Sequence, residues 1–446
     1  MRPILLVLLD GLGDHPHPEL GGMTTNEAAL TPWLDAFTAR AACGLLWPLG
    51  RGRAPSSELA HWMFFTGSLD SFPGRAVLEA LGHGRSVAED EVIGYAALRA
   101  AGTGRDSGFQ LGSRPRAEDD GDARRLLADI PPGPFGGIGF AMDPVAPGEA
   151  LLRLAGHAHP AVSDTDSFED DLHPLLACQA LAADPAAERT AEAVNAWTRA
   201  GFDLLASHPV NRRRARSAQQ TFDVVTTKWW GRTRPTIPFR EHTGLRGAIV
   251  SPATYQGGIA ARLGLEWVRP SRRPDGQESL QERLRLAREL LAHGYDFVHC
   301  HDKTPDEAAH AKDPAKRIAA LESLDAALEL LPSQDEAVVV VTGDHATPAG
   351  GRMLHSGDPV PFAIAGHRVP ADRVTRFGES YQAEGSLGHL LGGDVLPLAL
   401  NAADRARFLG ARAGRFAGSA VGAAPAPALE LGAGSGAAFV PGEGGT

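Results

Sequence analysis

Hydrophobic positions gather into three short unbroken runs, and each run ends on acids or imidazoles. The first, Ile4–Leu9, closes on Asp10. The second, in YDFVHCHDK from Tyr295, closes on His301 and Asp302; the third, in EAVVVVTGDH from Glu336, closes on Asp344 and His345. Continuous rather than alternating hydrophobicity predicts parallel strands covered on both faces. Helical patterns at 277–292 and 314–331 suit the crossovers between such strands. The expected fold class is α/β, a mostly parallel sheet flanked by helices. Such sheets bind ligands beyond the carboxyl ends of their strands, where all three runs place ionisable groups.

The middle of the chain differs. From about Gly102 to Arg234 it is rich in Gly, Pro, Asp and Arg, is helical around 185–206, and has no strand ending on an acid. This predicts an inserted, smaller α+β cap domain at 102–234 and a discontinuous core of 1–101 and 235–410. From 411 to 446 the composition decays into Ala, Gly and Pro, too little apolar surface to order itself, so a disordered tail is expected.

The length of 446 residues suggests roughly two to three domains. With 43 basic against 54 acidic residues the formal charge is −11, which argues against a nucleic-acid partner. Cys43, Cys178 and Cys300 lie far apart with no CxxC pair. They frame neither a disulfide scaffold nor a zinc knuckle and suit a reducing cytoplasm. Any metal must then be held by oxygen and imidazole. The first apolar run is too short for a leader, and no stretch reaches about 18 apolar residues, so no membrane span is expected. Among the basic residues only four are lysine: Lys228, Lys303, Lys312 and Lys316. A chain that writes Arg almost everywhere else marks those four as places where a compact ammonium matters.

A binuclear hydrolytic site needs about six or seven O/N ligands around ions roughly 4 Å apart, and a nucleophile that one ion can deprotonate. Candidates exist. Asp10 ends the first run, Asp344 and His345 the third, and His355 follows in RMLHSGDPVP. Asp306 and His310, four apart in HDKTPDEAAH, share one side of a helical turn. Ser57 in APSSELAH precedes an apolar helical stretch, where amides and the helix dipole favour a phosphate. Singly, each has a plainer reading: Asp10 as a turn residue, Ser57 as a helix cap, Asp306 and His310 as a solvated face. Three strand ends converging on Asp and His, with a serine at a helix start, favour the site.

These residues resemble a known family. LDGLGDHPHPELGGMTTNEAALTPWLD, SELAH, FPGRAVLEALGHG, HDKTPDEAAH, TGDHATP and HSGDPVP are similar to the archaeal-type cofactor-independent phosphoglycerate mutases of the alkaline phosphatase superfamily. The resemblance runs from about residue 3 to 408 and is weakest in the insert. It implies an alkaline-phosphatase-like core with two divalent ions, manganese or zinc about equally and magnesium less well. The first ion would be held by Asp10, Ser57, Asp344 and His345, the second by Asp306, His310 and His355. Ser57 would be the nucleophile of a phosphoserine intermediate, with Arg75 and Lys303 near the reacting phosphate. His301, Asp164 and Asp166 (the last two in VSDTD) would contact substrate. The implied activity is interconversion of 2- and 3-phosphoglycerate, a cytoplasmic glycolytic isomerisation whose partner is a small phosphorylated acid. Oligomeric state is not legible.

Three departures fall among the substrate-handling residues. Glu58 follows the serine where the family has Asp. VIGYAALRA replaces a strand containing Arg and Asn. TTKWWGRTRP replaces an Arg-Gly segment, so that Lys228, Trp229 and Trp230 either rebuild an anion pocket or pack a domain junction. These leave two other readings open: a phosphohydrolase or phosphomutase acting on another small phosphorylated or phosphonylated acid in specialised metabolism, and a non-catalytic binding descendant. The full ligand set argues against the last.

Overall fold

The structure, a computed structural model, describes residues 2–103, 109–167, 173–271 and 277–406; the tail expected from 411 lies outside them. The larger sheet has eight strands in the order Glu266–Val268, Gly247–Val250, Phe297–Asp302, Ile4–Leu9, Val338–Thr342, Val360–Ala365, Ala42–Trp47, Gly388–Leu391. The three hydrophobic runs are its centre, with Ile4–Leu9 parallel to both neighbours. Only Val360–Ala365 runs antiparallel to its partners. Unbroken hydrophobicity is explained by burial on both faces. Ile4, Leu6 and Leu8 pack with Trp62, Phe64 and Phe65, while Leu5, Val7 and Leu9 face Leu280, Leu284, Leu321 and Leu324.

Register brings the polar ends together. Leu8 lies opposite both His301 and Thr342, so Asp10 and Asp344, each two residues further on, leave the sheet side by side. The crossover helix before Val338–Thr342 is Pro314–Asp325, capped by Asp313, which accepts from Ala315 N at 3.0 Å. It is shorter than 314–331 because its end tightens into the 3₁₀ turn Ala326–Leu330, while the Asp325 carboxylate accepts from the Trp33 and Leu34 amides.

A second, antiparallel sheet has the order Gly139–Ala146, Glu149–Ala155, Val92–Arg99, Val224–Gly231. Helices Asp120–Asp129 and Pro185–Ser207 contribute to its apolar core, where Trp197 stacks on Phe140 at 5.1 Å. We propose that this sheet and its helices are the cap unit. Val92–Arg99, expected on the core side of a boundary at 101/102, belongs with the cap. All eight of its residues are buried, and both of its hydrogen-bonding edges are filled by cap strands. On this reading Gly102, in the strand Ala101–Thr103 paired with Phe109–Leu111, lies within the cap unit rather than at its edge.

Candidate metal centre and substrate cleft

Asp10 is followed by Gly11 in a left-handed turn, φ +62°. A side chain at Gly11 would come within 2.7 Å of Thr347 Oγ1 and 2.8 Å of Asp306 Oδ1, so glycine lets three loops close on one another. Gly11 N donates to Asp344 Oδ1 at 3.0 Å. Arg317, fully buried, ties these loops by donating to the carbonyls of Gly11 (2.9 Å), Leu12 (2.6 Å), Gly13 (3.1 Å) and Thr347.

The expected ligands converge. Ligand atoms of Asp10, Asp344 and His345 all lie within 4.8 Å of one another, as do those of Asp306, His345 and His355, so the two groups abut through His345. His310 Nε2 is 3.2 Å from Asp306 Oδ1, and the His345 and His355 rings stack at 3.8 Å. Ser57 begins the helix Ser57–Thr66, with its Oγ 3.1 Å from His345 Nε2. Ser56, not Ser57, occupies the cap position, which leaves the Ser57 hydroxyl facing the cluster.

Charge is concentrated here. Burial opposes ionisation of Asp10, but hydrogen bonds and charge from His301 and His345 hold it well below the usual carboxylate range. Burial and the neighbouring Asp10 push Asp344 up to about 6. Asp306 falls to about 2, because His310, His345 and Lys303 outweigh burial and Asp10. Burial would lower His345, but Asp344 and Asp10 raise it to about 9; burial and the adjacent His345 lower His355 to about 4. Asp344 Oδ2 is a buried acceptor without a hydrogen-bond partner among the described residues, and Asp10 Oδ1 faces His345 Nε2 at 3.1 Å. An orphaned acceptor is costly unless a cation satisfies it. Abutting clusters of carboxylate and imidazole donors, with a buried carboxylate oxygen of Asp344 unfilled, fit divalent metal ions, which would displace the proton that the acids hold on His345.

Beside this cluster opens a cleft of about 960 Å3, lined by Ser56, Ser57, Arg75, Arg114, Lys228, Trp229, Lys303, Lys312, Arg352 and His355 among others. Glu58 holds Arg75 at 3.1 Å, so the Glu that replaces the family's Asp orients a cleft cation. Lys303 Nζ lies 3.5 Å from Asp306 Oδ2; burial is outweighed by Asp10 and Asp306, and its ammonium is held above the usual range. Three of the four lysines reach this cleft, while Lys316 points to solvent.

Not every expected contact arrives there. His301 lies behind Asp10, its Nε2 3.1 Å from Asp10 Oδ2, and is buried rather than facing the cleft. Asp166 is fully buried, 3.1 Å from the Arg99 guanidinium and accepting from Thr226 Oγ1 at 2.8 Å; its carboxylate is committed inside the cap. Asp164 accepts from Trp229 N at 2.8 Å and reaches the cleft wall through that residue. Trp230 packs in the cap core over Gly94, where a Cβ would meet its ring at 2.5 Å, whereas Trp229 lines the cleft.

Sequence reasoning missed His61, Arg114 and Arg352, and marked Lys312 without giving it a role. His61 lies one turn beyond Ser57 and groups with His301 and Asp344 within 4.8 Å; its Nδ1 lies 2.7 Å from Ser57 O. The i, i+4 spacing in SELAH was a legible signal. Lys312 bridges the carbonyls of Pro348 (2.9 Å) and Met353 (2.5 Å), tethering the loop that leads to His355, and lysine scarcity had marked it. Nothing local distinguished Arg114 or Arg352 from other arginines.

A family model for the metalloenzyme superfamily matches residues 2–402. The chain is 30% identical over 423 residues to the 2,3-bisphosphoglycerate-independent phosphoglycerate mutase 2 of Methanocaldococcus jannaschii, covering 93% of this chain and 96% of that one. It is 33% identical to the corresponding mutase of Methanosphaerula palustris, covering 91% and 98%. Among solved structures, the PH0037 protein of Pyrococcus horikoshii is similar with a TM-score of 0.74 at 26% identity, over 92% of this chain and 99% of that one. A cofactor-independent phosphoglycerate mutase of Thermoplasma acidophilum shares the fold with a TM-score of 0.57 at 24% identity, over 90% and 99%. The chain belongs to the metalloenzyme superfamily and, within it, to the family of the 2,3-bisphosphoglycerate-independent phosphoglycerate mutases.

Proposed function

We propose that the protein is an enzyme that interconverts 2- and 3-phosphoglycerate by metal-dependent transfer of the phosphoryl group to and from Ser57. The observation that carries this is the Ser57 hydroxyl at the junction of a buried carboxylate–imidazole cluster and a cationic cleft. Relatives of about 30% identity, matched almost end to end, are named as such mutases. Two divalent ions, manganese or zinc, would be held by Asp10, Ser57, Asp344 and His345, and by Asp306, His310 and His355. When bound, they neutralise phosphoryl oxygens and lower the pKa of the serine hydroxyl.

The chain's own groups do the rest. Ser57 Oγ gives up its proton and forms the Oγ–P bond as the bond from phosphorus to the substrate oxygen breaks; that oxygen takes a proton. Lys303 and Arg75 face the phosphoryl oxygens as charge moves across them. The glycerate stays in the cleft and turns, and its other hydroxyl attacks phosphorus. Ser57 leaves with its proton restored. Water must be kept out in between, or the outcome is hydrolysis. A small phosphorylated acid in the cytoplasm is the partner this reading requires.

One observation favours a second reading, action on another small phosphorylated or phosphonylated acid. The arginine of VIGYAALRA, Arg99, turns inward to Asp166 and does not line the cleft. The test is product analysis with metal-loaded protein and 3-phosphoglycerate. Formation of 2-phosphoglycerate supports the mutase; free phosphate alone supports a hydrolase; neither product rejects phosphoglycerate as substrate.

A further inference from the structure

We infer that Trp229 is a positioning residue, whose indole holds Arg75 and Lys228 together as one clamp across the substrate's two anionic groups, Arg75 at the phosphoryl group and Lys228 at the acidic group that is not transferred. The inference rests on the proposed reaction, which supplies a substrate with two anionic groups.

The first observation is backbone geometry. Lys228 pairs with Tyr95 and Gly231 with Ile93, so Trp229 and Trp230 together face the single residue Gly94. One residue too many in this strand is a bulge, and a bulge re-aims side chains. Neighbours along a regular strand point to opposite faces. Here Lys228 and Trp229 both line the cleft, and Trp230 turns into the cap core. The bulge holds Trp229 at φ +65°, a region that bulky L residues rarely adopt, and the Asp164 carboxylate pins its amide at 2.8 Å. An uncommon conformation maintained at a cleft wall points to a role for the side chain it presents.

The second observation is what the indole touches. The Arg75 guanidinium carbon lies 3.9 Å from the ring centre and Lys228 Nζ lies 4.1 Å from it. Arg75 comes from the core helix Arg75–Gly82 and is also held by Glu58 (3.1 Å), Glu79 (3.3 Å) and the face of Tyr255. Lys228 comes from the cap sheet; the charged groups around it are Arg114, Arg75, Glu149, Asp164 and Asp166, and burial with Arg114 lowers it to about 8. Two cations from different units repel each other. A shared π face attracts both, which fixes their spacing before an anion arrives.

The experiment compares wild type, Trp229→Gly and Trp229→Phe as full-length, metal-loaded proteins. Glycine accepts the φ of this position, so the first variant removes the indole without straining the backbone. Phenylalanine keeps a π face. Steady-state kinetics and calorimetric binding of 3-phosphoglycerate are both measured. W229G is expected to raise KM and Kd about tenfold, with kcat changed less than about threefold, and W229F to recover most of the loss. The alkaline limb of kcat/KM should move down by about half a pH unit in W229G, since the indole favours the charged lysine. Unchanged KM and Kd in W229G overturn the inference, as does a fall in kcat at constant KM. If wild type binds 3-phosphoglycerate without turning it over, the mutase reading falls while the Kd ratio still decides the clamp. If wild type does not bind it, both fall.

Discussion

Asp166 tests whether a sequence-matched acid serves the substrate or the fold. Its carboxylate and the Arg99 guanidinium have no exposed side-chain surface and meet at 3.1 and 3.2 Å. Arg99 Nε also donates to Gly112 O at 2.8 Å, and Thr226 Oγ1 donates to Asp166 at 2.8 Å. Replacing Asp166 by Ala removes one partner of a buried ion pair, which costs about 3–5 kcal/mol. For a cooperative unit of roughly 150–250 residues each kcal/mol lowers Tm by about 2–4 °C, so a fall on the order of 10 °C is expected. Removing both partners, in R99M/D166L, should recover more than half of that loss, because both charges of the buried pair are gone. The assay is thermal unfolding of the two single variants and the double variant, alongside kcat/KM at 25 °C. In folded protein kcat/KM should stay within about twofold of wild type. A D166A protein of unchanged Tm with a tenfold higher KM would refute the reasoning and return Asp166 to the substrate.

Ser57→Ala should lower turnover by at least about a thousandfold and abolish phosphoserine detectable by mass spectrometry, with Tm little changed; retained turnover would move the nucleophile elsewhere. His355→Ala should reduce bound metal by elemental analysis, since His355 completes the group with Asp306 and His345; unchanged metal content would reject that ligand. Lys228 is charged below about 8, so kcat/KM for an anionic substrate should fall as pH rises through 8. Lys228→Arg, always charged, should remove that limb, and an unaltered profile would exclude Lys228 as its source. Chelation should lower Tm, because Asp10, Asp306 and Asp344 are buried near one another. Restoring metal at about a thousand times its Kd should return about 4 kcal/mol, and a Tm indifferent to metal would oppose the ligand set.

The chain's local patterns were enough to identify the central strands and to mark the acids and imidazoles that gather at their ends. Ile4–Leu9, Phe297–Asp302 and Val338–Thr342 read as doubly covered parallel strands because both of their faces are buried, a property written in every consecutive residue. Asp10, Asp344 and His345 were legible because they follow those strands directly, and the order of motifs around them carried the family. What lies in the cap was not legible. Arg99, Asp164 and Asp166 are ordinary polar residues in sequence; only the pairing of Val92–Arg99 inside the smaller sheet decides that Arg99 turns toward Asp166 and away from the cleft. Adjacent tryptophans looked alike, and a one-residue bulge sent Trp229 to the cleft and Trp230 to the core. Strand identity follows from short-range periodicity, which a sequence records. Which way a side chain points at a bulge or a buried ion pair depends on partners more than sixty residues away, and those meet only when the sheets assemble.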